Sequence, residues 1–290
     1  MTEALALRRA ALWMIGAIVS FSAMAVAGRA VAFELDTFEL MTYRSLIGVL
    51  LVVSVSWATG AAGQIRAQRM GLHLVRNVFH FGGQNLWFYA ITVIPLAQVF
   101  ALEFTSPIWV ALGAPLVLAE RLTRTRLISA LIGFVGILVV ARPDTAALGP
   151  GQLAAAGAAI GFAGSALFTR RLTRTESIVS ILFWLTVLQA GFGLICAGID
   201  GDFAIPSAVS WPWLVLIGCA GLSAHLCLTT ALSLAPASVV MPIDFMRLPV
   251  IALIGMAFYG ESLNAWVLLG GAIIFAANWL NIRRANRTVT

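Results

Sequence analysis

The chain alternates long apolar runs with short polar breaks. Ten runs of about 18 to 22 residues occupy 9–29, 38–58, 72–93, 97–118, 124–141, 151–169, 178–198, 211–231, 238–258 and 263–281. At 1.5 Å per residue, each can cross roughly 30 Å of hydrocarbon as a helix. None has the period-two alternation of a barrel strand, and a lipid-exposed backbone must satisfy its own hydrogen bonds, so helices are predicted. Ile94-Pro95-Leu96 separates the third and fourth runs, and Leu234-Ala235-Pro236-Ala237 marks the join of the eighth and ninth. Each join predicts a tight hairpin.

A shift of 141 residues aligns the two halves without a gap. It places Gly16-Ala17 on Gly157-Ala158, Phe21 on Phe162, Arg29 on Arg170, Pro95 on Pro236, Glu103-Phe104 on Asp244-Phe245, and Glu120 on Glu261. The expected fold is therefore an all-α integral membrane protein of ten transmembrane helices, divided into two five-helix repeats over 1–141 and 142–290. Five is odd, so the second repeat enters the membrane from the opposite side and the repeats are inverted. The first run, behind Arg8 and Arg9, has the outline of a cleavable signal peptide. Its partner at 151–169 makes it a retained span instead.

Composition agrees with a membrane protein: 61% of residues are hydrophobic and 10% charged, against about 45–50% and 25% in soluble domains. All 18 basic residues are Arg, which excludes lysine Schiff-base chemistry and a P-loop. With the N-terminus inside, 13 arginines fall in cytoplasmic segments and only Arg29 and Arg142 in outer ones. That asymmetry places both termini in the cytoplasm. The net charge of +6 thus records topology and not a nucleic-acid partner. Cys196, Cys219 and Cys227 lack metal-ligand spacing and read as packing residues; no metal or cofactor is expected.

Inverted repeats place a transporter's substrate near the midplane between halves, and polar residues inside spans should point there. His73, Asn77, His80 and Gln84 share one face of the third span. His73 and Asn77 are assigned to its interfacial end; His80, Gln84 and Asn85 are expected in the cavity, with His225 at the position equivalent to Gln84. Mid-span Tyr43, Trp109 and Trp184 are aromatic candidates for the same wall, with ordinary packing the competing reading. Trp57, Trp211, Trp213, Trp266 and Trp279 fit an interfacial belt.

Asp244 and Arg247 are spaced for an ion pair. Glu103 has Ser106 where the second repeat has Arg247, so Arg44, at similar depth, is its expected partner. These pairs either neutralise buried charge or include a carboxylate that couples transport to protons. Pro107, Pro115, Pro242 and Pro249 should kink the fourth and ninth spans. An enzyme would need a nucleophile or metal constellation that is missing, and a channel would not need inverted repeats.

The stretch Leu118-Ala119-Glu120-Arg121-Leu122-Thr123, followed by Gly133-Phe134-Val135-Gly136 and Ala141-Arg142-Pro143, resembles the repeat ending of the drug/metabolite transporter superfamily, EamA type. Gly260-Glu261-Ser262-Leu263 and Leu269-Gly270-Gly271 look like its second copy. The aromatic, amide-rich third span, Phe79 to Tyr89, is similar to YddG-type exporters. The resemblance implies a bacterial inner-membrane exporter of aromatic and other neutral amino acids, with a small-molecule substrate as partner, in a monomer or homodimer. Phosphorylated metabolites or nucleotide sugars are the alternative. They would need cavity cations, and only Arg44, Arg76 and Arg247 lie inside spans, two of them expected to be paired.

Overall fold

A computed structural model describes residues 3–120, 124–141, 149–199 and 203–260, and short helical stretches between 265 and 277. Arg121, Arg142, Asp200, Asp202, Glu261, Leu263, Trp279, Arg283, Arg284 and Arg287 lie outside the described residues, as does much of the expected tenth span. Every regular element among the described residues is helical: α1 (Glu3–Val31), α2 (Thr37–Ala58), α3 (Met70–Val93), α4 (Leu96–Glu103), α5 (Ser106–Leu118), α6 (Arg124–Ala141), α7 (Pro150–Leu172), α8 (Ile178–Ala197), α9 (Trp211–Leu234), α10 (Ala237–Ile243) and α11 (Arg247–Tyr259), with 3-10 turns at Ala62–Gln64 and Asp244–Met246.

Among the described residues, six segments are long and apolar enough to cross a membrane: Leu5–Val31, Thr37–Ala58, Pro150–Leu172, Ile178–Ala197, Trp211–Leu234 and Val239–Tyr259. Two other expected spans differ from that set for physical reasons. α3 has the length, at 24 residues, but spends it on a buried polar face with His73, Arg76, Asn77, His80, Gln84 and Asn85. The fourth span is broken at Phe104-Thr105. There the ring of Pro107 meets the carbonyl of residue i−4, which is Glu103, and ends α4. Pro249 does the same to Phe245, and the ninth span passes through a 3-10 turn at Asp244–Met246. Both buried carboxylates therefore sit at helix breaks.

α1 packs on α9, α3 on α7, and α2 on α8, and the ends of α2 and α8 show how the last pair is held. Asp36 caps α2 in a capping box with Glu39, and Ser177 caps α8; these caps are 141 residues apart. At the α2 cap, Glu39 accepts from the Ala204 backbone N–H and Tyr43 Oη donates to Ala204 O at 2.7 Å. At the α8 cap, Ser180 Oγ accepts from Arg66 N and donates to Arg66 O, and Trp184 Nε1 donates to Arg66 O at 2.8 Å. Each helix start thus clasps a connection belonging to the other half, so α2 and α8 run in opposite directions.

The first clasp also contains Glu34, which accepts from Ser210 Oγ, from the Ser207 backbone N–H, and from Ser207 Oγ at 3.0 Å. The Ser210 and Ser207 bonds hold its carboxyl below the ordinary value of 4.5. A depressed folded pKa stabilises above the unfolded value, and that gain is lost as pH falls through the folded one. Melting of the wild type should therefore fall more than that of Glu34→Gln between about pH 5 and pH 3. Parallel curves would remove Glu34 from the clasp.

Small residues set the α3–α7 approach. A Cβ on Gly161 would lie 2.7 Å from Gly83 Cα and 2.8 Å from Phe79 O, whereas a Cβ on Gly82 meets nothing within 4 Å. Backbone cannot yield as a side-chain tip can. Gly161→Ala should cost about 1–3 kcal/mol and Gly82→Ala far less, read as melting temperatures. Equal melting of the two variants would contradict the close packing.

Candidate functional site

Between the halves lies a cavity lined by residues of both repeats. α3 lines it with Arg76, His80, Gln84 and Trp87, spaced to share one helical face. α1 adds Phe21 and Met24, α7 adds Phe162, Ser165 and Thr169, and α9 adds His225 and Leu228. The broken helices contribute Glu103, Ser106, Asp244 and Arg247. Twelve of its 18 lining residues form six pairs related by the 141-residue shift: Phe21 with Phe162, Met24 with Ser165, Gln84 with His225, Trp87 with Leu228, Glu103 with Asp244, and Ser106 with Arg247. The two repeats build one site from the same positions with different chemistry.

At one pole, Arg247 NH2 donates to Glu103 Oε1 at 2.5 Å and to Asp244 Oδ2 at 2.6 Å. Trp87 Nε1 completes the group by donating to Glu103 Oε2 at 2.7 Å. The Arg247 guanidinium also lies over Phe21 and Phe100 at 5.0 Å and Phe104 at 5.2 Å, which stabilises a desolvated cation. The expected Arg44–Glu103 pair is corrected here. Equal depth does not make two groups neighbours: α2 packs on α8 and α9, while the Glu103 break faces α11. Arg247 serves both carboxylates, so Glu103 needs no Arg in its own repeat.

At the other pole, His80 and His225 meet edge to face with centroids 4.6 Å apart. Phe21 packs on His225 at 5.6 Å and Phe162 on His80 at 6.1 Å. Among the described residues, the buried His80 Nε2, both ring nitrogens of His225 and Gln84 Nε2 have no partner. Beside them Arg76 donates to Thr169 Oγ1 at 3.0 Å and to Asn77 Oδ1 at 3.4 Å.

Other expected site residues fall elsewhere. Asn85 donates to Phe81 O within its own helix at 2.8 Å. Trp109 is 43% exposed on the outer surface. Tyr43 and Trp184 form the two clasps, the former tilted against Phe203 and edge to face with Trp211. Arg44 borders a small neighbouring pocket with His225 and Gln189. His73 and Asn77 are fully buried within the protein, and Gln189 from α8 donates to Asn77 O and Oδ1, both at 2.9 Å. Trp57, Trp211, Trp213 and Trp266 are exposed, as a belt requires. Sequence reasoning passed over Thr169, Phe21, Phe162 and Trp87 as site residues, and weighed Arg76 only as a cation that an anionic substrate would need. The Phe21–Phe162 match in the repeat was the available signal.

The chain belongs to the EamA-like transporter family, which matches residues 8–142 and 149–283. It is thus a multi-pass membrane transporter. It is 33% identical to the riboflavin transporter of Brucella anthropi over 77% of this chain and 80% of that one. It is 24% identical to the S-adenosylmethionine uptake transporter of Rickettsia felis over 91% and 89%. A solved protein structure with 19% identity superimposes with a TM-score of 0.77, covering 96% of this chain and 98% of that one, which speaks to the fold alone. Neither named relative is an amino-acid exporter, so the YddG-type expectation narrows to the family.

Proposed function

We propose that this protein is an alternating-access carrier for a small metabolite bearing an aromatic or heteroaromatic ring. In this reading ten spans form two inverted repeats, 1–141 and 142–290, with both termini on the cytoplasmic side of a bacterial inner membrane. The observation that carries the reading is the cavity built from six repeat-related pairs. A site on a pseudo-twofold axis is reached from either face by exchanging the conformations of the two halves. Helix breaks at Glu103 and Asp244 supply flexible points beside it. Phe21, Phe162 and Trp87 give it ring-binding walls.

Riboflavin is the first probe, since a relative is named for it. Export of aromatic and other neutral amino acids is the second reading. What favours it is the presence of carboxylates and an arginine in one cavity, which suits a zwitterion. Thermal stabilisation of the purified protein by riboflavin, S-adenosylmethionine, aromatic amino acids and simple sugars tests the substrate class. At least one ring-bearing compound should raise the transition and the sugars should not. Stabilisation by sugars alone would overturn it.

A further inference from the structure

The His80 end of the cavity carries the cation Arg76, and a second, Arg44, borders the neighbouring pocket behind His225; neither has a counter-ion among the described residues. Arg76 is 1% exposed and Arg44 7% exposed. Among the described residues, Arg76 is bonded only to Thr169 and Asn77. Arg44 reaches only Met41 Sδ, at 3.6 Å, and lies against the backbone at Gly221. Both carboxylates at the helix breaks are already held by Arg247. The expectation that two of the three intramembrane arginines are paired is thus corrected: one arginine takes both acids and two take none.

A buried cation without a partner costs several kcal/mol. Two of them within electrostatic range of the same imidazole pair are poor as a packing device. His225, His80 and Gln84, whose nitrogens include ones without a partner among the described residues, line the same cavity. Resting on the carrier reading above, we propose that the transported ring compound carries an acidic group, a carboxylate or a phosphate, seated on Arg76. Imidazole N–H and the Gln84 amide donate to it, and Arg44 adds positive potential from behind His225. The ring then lies toward Phe21, Phe162 and Trp87. With Arg76 and Arg44 both away from the carboxylates held by Arg247, positive potential is available for an anionic substrate.

The test is equilibrium binding of two matched pairs to the purified protein: N-acetyl-L-tryptophan against its amide, and riboflavin 5′-phosphate against riboflavin. The acidic member of at least one pair should bind about tenfold or more tighter, as expected for bonds to a charged group. Preference in the first pair identifies a carboxylate, and in the second a phosphate. Arg76→Gln should erase that preference by weakening the acidic member alone. Equal binding within both pairs overturns the acidic-group proposal and leaves the ring-carrier reading standing; no binding of any of the four overturns both. Equal weakening of both members by Arg76→Gln would make Arg76 merely structural. Competition by inorganic phosphate at matched concentration would point to a detached anion and also overturn the proposal. Should Arg76→Gln fail to fold, the wild-type preference alone decides.

Discussion

Arg247→Gln is expected to abolish transport and to destabilise the protein by about 3–5 kcal/mol, the usual cost of removing one partner from a buried ion pair. The variant leaves Glu103 and Asp244 without the cation that both now share, and among the described residues no other arginine is bonded to either. Glu103→Gln should be far milder for the fold, because the Asp244–Arg247 pair survives and Trp87 can still donate to the amide oxygen. It is the variant that isolates proton coupling. If Glu103 carries the proton, Glu103→Gln retains flux down a substrate gradient and loses the response to an imposed pH gradient. Unchanged behaviour under both conditions would end the coupling idea. Melting curves and flux in proteoliposomes read the two effects separately.

His225→Ala is expected to weaken substrate binding by about 10- to 100-fold, the loss of one or two bonds in a desolvated site, with Gln84→Ala and His80→Ala acting in the same direction. Their cost in stability should be that of lost packing alone. Among the described residues, neither ring nitrogen of His225 has a hydrogen-bond partner, and the partners of His80 Nε2 and Gln84 Nε2 are likewise absent. The controls are the aromatic residues away from the cavity. Trp109→Ala, on the exposed face, should leave binding within about twofold, since surface substitutions rarely matter. Intact binding in His225→Ala would remove that imidazole from the site.

The sequence made depth and symmetry legible, and left rotation and neighbourhood hidden. Depth follows from counting 1.5 Å per residue, so Arg44 and Glu103, each about six residues into its run, could be placed at similar depth from the chain alone. The repeat carried more still: Phe21 and Phe162, matched only as letters, became the rings against His225 and His80. Which faces meet was not written in either signal. Arg44 and Glu103 share a depth and not an interface. Tyr43 and Trp184 are repeat-related and mid-run, yet their equivalence is that of two clasps at opposite ends of the bundle. A residue's role in a polytopic protein depends on the packing partner of its helix, which no periodicity specifies.

Proline was the other partly legible signal. The kinks were expected from Pro107 and Pro249, but the consequence was finer: each ring breaks the turn that holds a buried carboxylate.

Counterflow tests the carrier mechanism most directly. Proteoliposomes loaded with the labelled ligand found by the stabilisation panel are diluted into buffer with and without excess unlabelled ligand outside. A carrier whose single site alternates between faces exchanges faster than it returns unloaded, so external ligand should accelerate efflux of label. Label efflux that is unaffected or slowed by external ligand, at concentrations that saturate binding, would contradict alternating access and point to a channel-like pore.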